Sequence, residues 1–553
     1  MTSNNNIAVQ QRLRKNTATL LISVLLVLQN VTAVADDWIY TVRPGDNLWD
    51  LSETHLTSMK YWKPLQRHNS ITDPLQIPPG SRLKFPVAWL KHQPATAMVI
   101  QLRGEAHLTS ATDGSTRPLT NNTRLHSGDR IKTGPDGNLN IRFADGSELL
   151  VLSGSEVTMD SLSAYGTTGM VDTRVRLQGG RIDTRAKPSQ GPGSRYHIIT
   201  PAAVAAVRGT QFRVSADTDK PVARSEVIKG KIGVSGAGTS QLVPAGFGTI
   251  AEAGQAPQPP RELLPAPDLS PLPVLLDRLP LQFEWVSVEN AAGYRFQIAG
   301  NSKFDLLLAD GTSLNTAATV DLPDGEYILR VRAIDKDRLE GLNATRAFTV
   351  DARPQPPLLI GLGDAALIRD ARPDFSWSTT PADTGWHFQL ARDADFEELV
   401  TDLAELRKPH FQPEQPLQEG DYFWRVATYQ GDSSRGPFSD AQNFSFHPLP
   451  QGPNLAPPQI GENEMAFHWQ AVAGAARYHF QLASDPEFEN IVSEQTVTEP
   501  HVVIPRPQPE RYYFRAQTLD AHATAGPYGI TYDVTVPPTS YWPFLIVFIP
   551  LLL

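Results

Sequence analysis

The side chains that could do covalent or metal chemistry are few and dispersed along this chain. There is no Cys, which removes thiol nucleophiles, disulfide frameworks and Cys-ligated zinc. The 13 His fall singly, with His55, His68, His126, His197, His387 and His479 in different segments. Asp145-Gly146-Ser147 invites a calcium reading, but Ca²⁺ takes about 6–8 oxygens at patterned spacing, and one such tripeptide is a hairpin turn. The chain has no G-x-S-x-G elbow, P-loop, H-E-x-x-H or G-x-G-x-x-G after a strand. Paired carboxylates for glycan cleavage need a cleft with acids of raised pKa, which small β modules rarely supply. The expectation is a non-catalytic protein with no metal site and no cofactor. Arg208-Gly209-Thr210 reads as a structural turn, its guanidinium bonding carbonyls while Gly209 takes a positive φ; a ligand contact is the competing reading.

The elements that carry these residues form a multidomain chain. At 553 residues, 40% hydrophobic and 20% charged, there is length for about three or four domains and enough apolar content to build their cores. The net charge of −10 argues against nucleic acid as a partner. Residues 1–35 read as a signal peptide. Arg12, Arg14 and Lys15 form its basic region, Ala18 to Leu28 its apolar stretch and Ala33-Val34-Ala35 its cleavage pattern. Cleavage before Asp36 would take the charge from −10 to −13 and mark the protein as exported.

Residues 36–92 read as a βααβ unit. Ile39-Tyr40-Thr41-Val42 is a short strand, Arg43-Pro44-Gly45-Asp46 a turn with Asp46 at the helix N-cap, and Arg82-Leu83-Lys84-Phe85 the closing strand. Tyr40, Val42, Leu48, Leu51, Trp62, Leu65 and Leu83 fill its small core. The string Tyr40-Thr41-Val42-x-Pro44-Gly45-Asp46-x-Leu48-Trp49-x-Leu51, with Asn69, Asp73-Pro74, Ile77 and Pro79-Gly80, resembles a LysM module. The resemblance implies binding of N-acetylglucosamine-containing glycan, chiefly peptidoglycan. It places the glycan site on Gly45, Asp46, Asn47 and Leu48 in one loop and Ile71, Thr72 and Asp73 in the other.

Residues 97–250 change to short alternating runs punctuated by Gly, without helical periodicity, and read as all-β with strands of about four to six residues. Gly128-Asp129-Arg130-Ile131-Lys132-Thr133-Gly134, Leu139-x-Ile141-Arg142-Phe143-x-Asp145-Gly146-Ser147, Thr200-Pro201-Ala202 and Val207-Arg208-Gly209-Thr210-x-Phe212 resemble a FecR domain. That family's best-known member relays transporter occupancy to an anti-sigma system. It does so from behind a cytoplasmic segment and a membrane span, where this chain has a leader and a LysM-like unit. Residues 251–280, with eight Pro in thirty, read as a semi-rigid linker separating these two modules from the rest.

The remainder repeats. Phe283-Glu284-Trp285, Phe375-Ser376-Trp377 and Phe467-His468-Trp469 stand 92 residues apart, and so do Phe304, Phe396 and Phe488. Three copies, 281–352, 353–448 and 454–537, have the profile of Ig-like or fibronectin type III-like β-sandwiches. Their Trp, Tyr and Phe alternate onto the inward face and read as core rather than a glycan-stacking ladder. Trp424, taken to stand on the opposite parity to Tyr422, is the exception. The tail, 538–553, is apolar but too short to span a bilayer; it either inserts partway, giving a membrane contact, or packs onto the last module. The fold class is thus multidomain and mainly β. The expected function is a non-catalytic, peptidoglycan-binding envelope protein of the periplasm or cell envelope of a Gram-negative bacterium. Its FecR-like and sandwich domains would engage a protein partner or signal. A FecR-like periplasmic regulator and a surface adhesin are the alternatives.

Overall fold

The computed structural model describes residues 36–431 and 434–539; the expected signal peptide and residues 540–553 of the apolar tail lie outside them. The chain divides into two compact units, Met1–Val350 and Asp351–Leu553.

In the first unit, the strand Asp37–Thr41 pairs antiparallel with Arg82–Pro86, Tyr40 opposite Leu83, and the helices Leu48–His55 and Trp62–His68 pack across the pair. The side chain that caps the first helix is Asn47, one residue beyond the expected Asp46: its Oδ1 accepts from Asp50 N at 2.9 Å. Asp46 instead closes the turn, Oδ2 accepting from Arg43 N at 2.7 Å and from the Tyr40 hydroxyl at 2.8 Å. Asn69 locks the second helix to the closing strand, exchanging bonds with Lys84 N and O at 2.6 and 2.8 Å. The core holds Val42, Leu48, Leu51, Leu65 and Leu83, with Tyr40 and Trp62 half-buried against it. Tyr165 and Met170, from the barrel that follows, complete it.

Strands between Gln93 and Glu262 close into a barrel. The expected short strands are joined by one of 15 residues, Val171–Arg185, which belongs to two sheets. Its first half pairs with Glu156–Ala164 and, in parallel, with Arg195–Ile199; its second half pairs with Glu148–Val151 and Gln211–Ala216. Gly179-Gly180 marks the crossing. Gly180 has φ +94°, and a Cβ there would lie 2.5 Å from the Ser155 Cα, so only glycine lets the strand change sheets without ending.

The Pro-rich segment is not a free spacer. Arg261–Glu262 pairs with the barrel strand Phe247–Glu252, and Leu263, Leu269 and Leu272 are buried. Leucines set between the prolines give the segment apolar surface that is worth burying at ~25 cal/mol per Å², so it packs rather than extends. The sandwich that follows has a five-stranded sheet, running Leu275–Leu276, Ala344–Val350, Gly325–Ile334, Gly293–Ala299, Ala309–Ser313, over a two-stranded one.

This sandwich and the barrel share a buried ionic junction. Glu340, 1% exposed, meets Arg181 of the barrel at 2.7 Å and Arg295 and Arg332 of the sandwich at 2.6 and 2.7 Å. Barrel Arg213, also buried, donates to the Glu340 and Gly341 carbonyls at 2.6 and 2.8 Å. Arg224 reaches the Asp337 carbonyl at 2.7 Å, and Asn138 exchanges two bonds with the Leu307 backbone at 3.0 and 3.1 Å. Burial alone would push the Glu340 carboxyl up; the guanidiniums of Arg181, Arg332, Arg295 and Arg213 hold it well below the usual carboxylate range. Burial, then the charge of Arg332, brings Arg330 down to about 9.

The second unit contains two further sandwiches. In one, Leu359–Ile360, Phe375–Trp377 and His410–Phe411 face a six-stranded sheet; in the other, Gln459–Ile460, Glu464–His468 and His501–Pro505 face a five-stranded one. Trp285, Trp377 and Trp469 are all buried, as the alternation requires. Trp424 is buried as well, at 0% exposed, against Phe375 and Phe388. The expectation of an outlying Trp424 is therefore corrected: residues two apart on a strand share a face, and Tyr422 and Trp424 both point inward.

The 92-residue repeat carries two local devices. Tyr327, Tyr422 and Tyr512 each donate to the carbonyl four residues earlier, at 2.9, 2.6 and 3.1 Å, pinning the turn before their strand. Phe304, Phe396 and Phe488 all adopt positive φ and lie under Arg330, Arg425 and Arg515, guanidinium to ring 4.1, 3.8 and 3.8 Å. Each of these arginines also donates to a glutamine one strand away, Gln297, Gln389 or Gln481.

Candidate functional site

The two loops expected to hold glycan lie side by side because Leu48 N donates to Pro74 O at 2.8 Å. That bond joins the end of the first turn to the 71–74 loop and makes one continuous rim. Gly45 sits on it exposed, φ +91°, with open space where a side chain would be. Asp46 and Asn47 are half-buried and locally engaged, Asn47 Nδ2 also donating to Asp50 Oδ2 at 2.7 Å. Ile71 is half-buried and its backbone exchanges bonds with Gln66 N–H donors and carbonyl at 3.0 Å. Thr72 and Asp73 are exposed, and Asp73 Oδ1 accepts from Leu75 N at 2.9 Å.

Leu48 differs from the other six. Its side chain is fully buried in the module core and its N–H is spent on the Pro74 carbonyl, so on this rim it joins the two loops. Apolar surface is supplied instead by two residues the sequence reading did not select, Leu75 at 72% exposed and Trp49 at 49%. Trp49 packs edge-on to Trp62, ring centroids 5.8 Å apart. The signal for both was available: each large apolar side chain lies within two positions of a residue already implicated, Trp49 after Leu48 and Leu75 after Asp73-Pro74. The rim thus sets the exposed residues Gly45, Thr72 and Asp73 beside apolar surface, and polar groups next to apolar surface are what an acetamido sugar requires.

Beneath the rim, His55 is buried among Trp38, Tyr40 and Phe85, at 5.0, 5.6 and 5.7 Å between centroids. Burial, reinforced by the Lys91 charge, holds its pKa below the ordinary histidine value. The neutral ring is the folded form, so the module keeps its full stability above the ordinary pKa of ~6.5 and loses it as pH falls toward the depressed value. Unfolding followed by Trp fluorescence should give a lower midpoint at pH 5 than at pH 7.5, and His55→Gln should flatten that difference. An unchanged pH dependence in His55→Gln would place the titrating group elsewhere.

In the barrel, the motif residues are structural. Asp129 is 3% exposed and accepts from Ala111 N at 3.0 Å and His126 N at 2.8 Å, while Thr133 donates to the Leu152 carbonyl at 2.7 Å. The Asp145 carboxylate is taken by Ser147 N and Oγ, both at 2.8 Å, in a hairpin turn. Arg208 is different: it is exposed, and among the described residues its guanidinium bonds no turn carbonyl. Among the described residues, no three His, Asp or Glu side chains gather as a metal-holding group, and no helix is long and apolar enough to cross a membrane.

The LysM domain family model matches residues 40–86, and the FecR protein family model matches residues 129–233. The chain carries a LysM domain and a FecR domain. Both are non-catalytic binding and regulatory domains, typical of bacterial envelope proteins. No curated protein matches the chain. Among solved structures, it is similar to a putative anti-sigma factor from Parabacteroides distasonis ATCC 8503 at 15% identity, over 24% of this chain and 59% of that one, with a TM-score of 0.21. It is also similar to the FN1-FN3 domains of chicken CNTN1 at 14% identity, over 50% of this chain and all of that one, TM-score 0.20. A two-domain fibronectin type-III segment of chicken tenascin matches at 10% identity, over 33% of this chain and all of that one, TM-score 0.23. The fold is multidomain and mainly β, with a small helical LysM module and β-sandwiches.

Proposed function

We propose that this protein is an exported, non-catalytic peptidoglycan-binding component of a Gram-negative cell envelope. The LysM domain holds N-acetylglucosamine-containing glycan on Gly45, Asp46, Asn47, Leu48, Ile71, Thr72 and Asp73, with Leu48 acting by tying the two loops together. The FecR domain and the sandwiches engage a protein partner. The observation that supports this reading most strongly is the Leu48–Pro74 bond, which turns two separate loops into one exposed rim. A single LysM domain gives no avidity of its own, so this one rim would have to supply the wall contact.

The test is retention on purified peptidoglycan sacculi of the chain from Asp36, with and without residues 36–92. Deletion should abolish retention, and Asn47→Ala with Asp73→Ala should weaken it while the LysM domain stays folded. Asn47→Ala alone costs about 1 kcal/mol through the lost helix cap, so folding of the double variant is checked by circular dichroism. Equal retention of the full and deleted chains would remove the LysM domain from the function.

A further inference from the structure

In a chain with 59 acidic residues, the stretches 184–216 and 227–251 contain none. The barrel folds them into one sheet. His197 pairs with Ala206, Ala206 with Gly233 and Gly233 with Leu242; Lys231 pairs with Pro244. Paired residues stand on the same side of a sheet, so this row runs across the outer face, and Leu242 protrudes from it at 61% exposed.

Three turns meet at the end of that face. Ala186 N donates to the Thr210 carbonyl at 2.9 Å, and Thr210 Oγ1 donates to the Lys231 carbonyl at 3.1 Å. Gly209, φ +69°, lies so close to the 187–189 turn that a Cβ would be 3.1 Å from the Pro188 Cα. The backbone packing therefore brings Lys187, Arg208, Lys229 and Lys231 onto one rim beside Leu242. All four are exposed, and none of their side chains has an ion-pair or hydrogen-bond partner among the described residues. The nearby acids are occupied, Glu148 by Arg142 and Arg185, and Asp145 by Ser147.

We propose that this face of the FecR domain binds the surface of an anionic phospholipid bilayer. Leu242 enters the headgroup layer, and the four cations pair with lipid phosphate. Three of the four are Lys, flexible point charges suited to a diffuse anionic surface rather than to one bidentate carboxylate. A purely acidic protein patch would leave Leu242 without apolar cover, whereas a bilayer supplies both charge and an apolar layer beneath it. The net negative charge of the whole chain does not oppose this, since exposed charges farther apart than ~8 Å are largely screened at physiological salt.

The experiment is sedimentation of the chain from Asp36 with vesicles of phosphatidylcholine, alone or mixed with phosphatidylglycerol. Binding is expected to the mixed vesicles only and to weaken with added salt. Lys187→Glu, Arg208→Glu, Lys229→Glu and Lys231→Glu together should weaken it at least about a hundred-fold, and Leu242→Ser severalfold. Should the quadruple variant misfold, Arg208→Gln with Lys231→Gln reads the same rim more gently. Equal binding to both vesicle types, or undiminished binding by the charge variants as attachment through the apolar tail would give, overturns the proposal. Binding to polyglutamate but not to vesicles also overturns it, assigning the face to an acidic protein. Sacculus retention does not depend on this face, so either result leaves the wall-binding reading standing.

Discussion

Glu340→Gln should destabilise the barrel and first sandwich by about 3–5 kcal/mol, the cost of breaking a buried ion pair by removing one partner. Glu340 is 1% exposed and pairs with three guanidiniums within 2.7 Å, from Arg181, Arg295 and Arg332. A neutral amide fills the same space but leaves those charges buried, with Asp310 beside Arg295, Asp183 beside Arg332 and Glu226 acting on Arg181. Glu226 is a poor substitute, because burial raises its own pKa. Denaturant unfolding of Glu340→Gln should show a markedly lower midpoint, with the barrel and first sandwich no longer unfolding together. A loss below about 1 kcal/mol would mean that the arginines re-pair and that Glu340 is one contributor among equals. The sign of the pH effect follows from the depressed Glu340 pKa. Its contribution is present above the ordinary carboxylate range and is lost only as pH falls through the lower folded value, so mild acid should weaken the LysM domain through His55 before it touches this junction.

Trp424→Ala should cost the second sandwich about 3–5 kcal/mol, the range for removing a large buried aromatic. Trp424 is fully buried and packs its ring 5.1 Å from Phe375 and 6.2 Å from Phe388, in a core that also holds Tyr422 and Phe444. No neighbour can fill the space of an indole without leaving its own contacts. Because Asp351–Leu553 is a compact unit distinct from Met1–Val350, calorimetry should show a lost or shifted transition for the second unit and an unchanged one for the first. If instead Trp424 worked as a surface glycan contact, the substitution would leave both transitions in place and reduce sacculus retention.

The rim of the LysM domain and the Glu340 junction show how differently two sites can be written into a chain. The rim residues lie within 30 positions of one another, and turn chemistry at Pro44-Gly45 and Asp73-Pro74 marks both loops in the sequence. Leu48 was legible as a core residue from its spacing to Leu51, and its second reading as a glycan contact is the part that burial removes; what the sequence did not reveal was the outward exposure of Leu75 and Trp49, each a lone apolar residue with no periodic partner on its own face. Asn47 and Asp46 exchanged roles for a similar reason: both are good capping residues, and only the position of the helix start decides between them.

What this protein's sequence determined by itself is everything that rests on local pattern. The βααβ unit, the all-β character of 97–250 and the three-fold repeat follow from residue periodicity, turn residues and a constant 92-residue spacing, none of which needs a distant partner. Tertiary structure decided where charges and prolines ended up. Arg181 and Arg213 meet Glu340 across 127 to 159 positions. In sequence these arginines look like any solvated strand residue, since burial of a charge depends on a counter-charge brought by docking. The Pro-rich segment became part of a packed surface because its leucines found a barrel to cover. The acid-free stretches became one exposed face because strand register set them side by side.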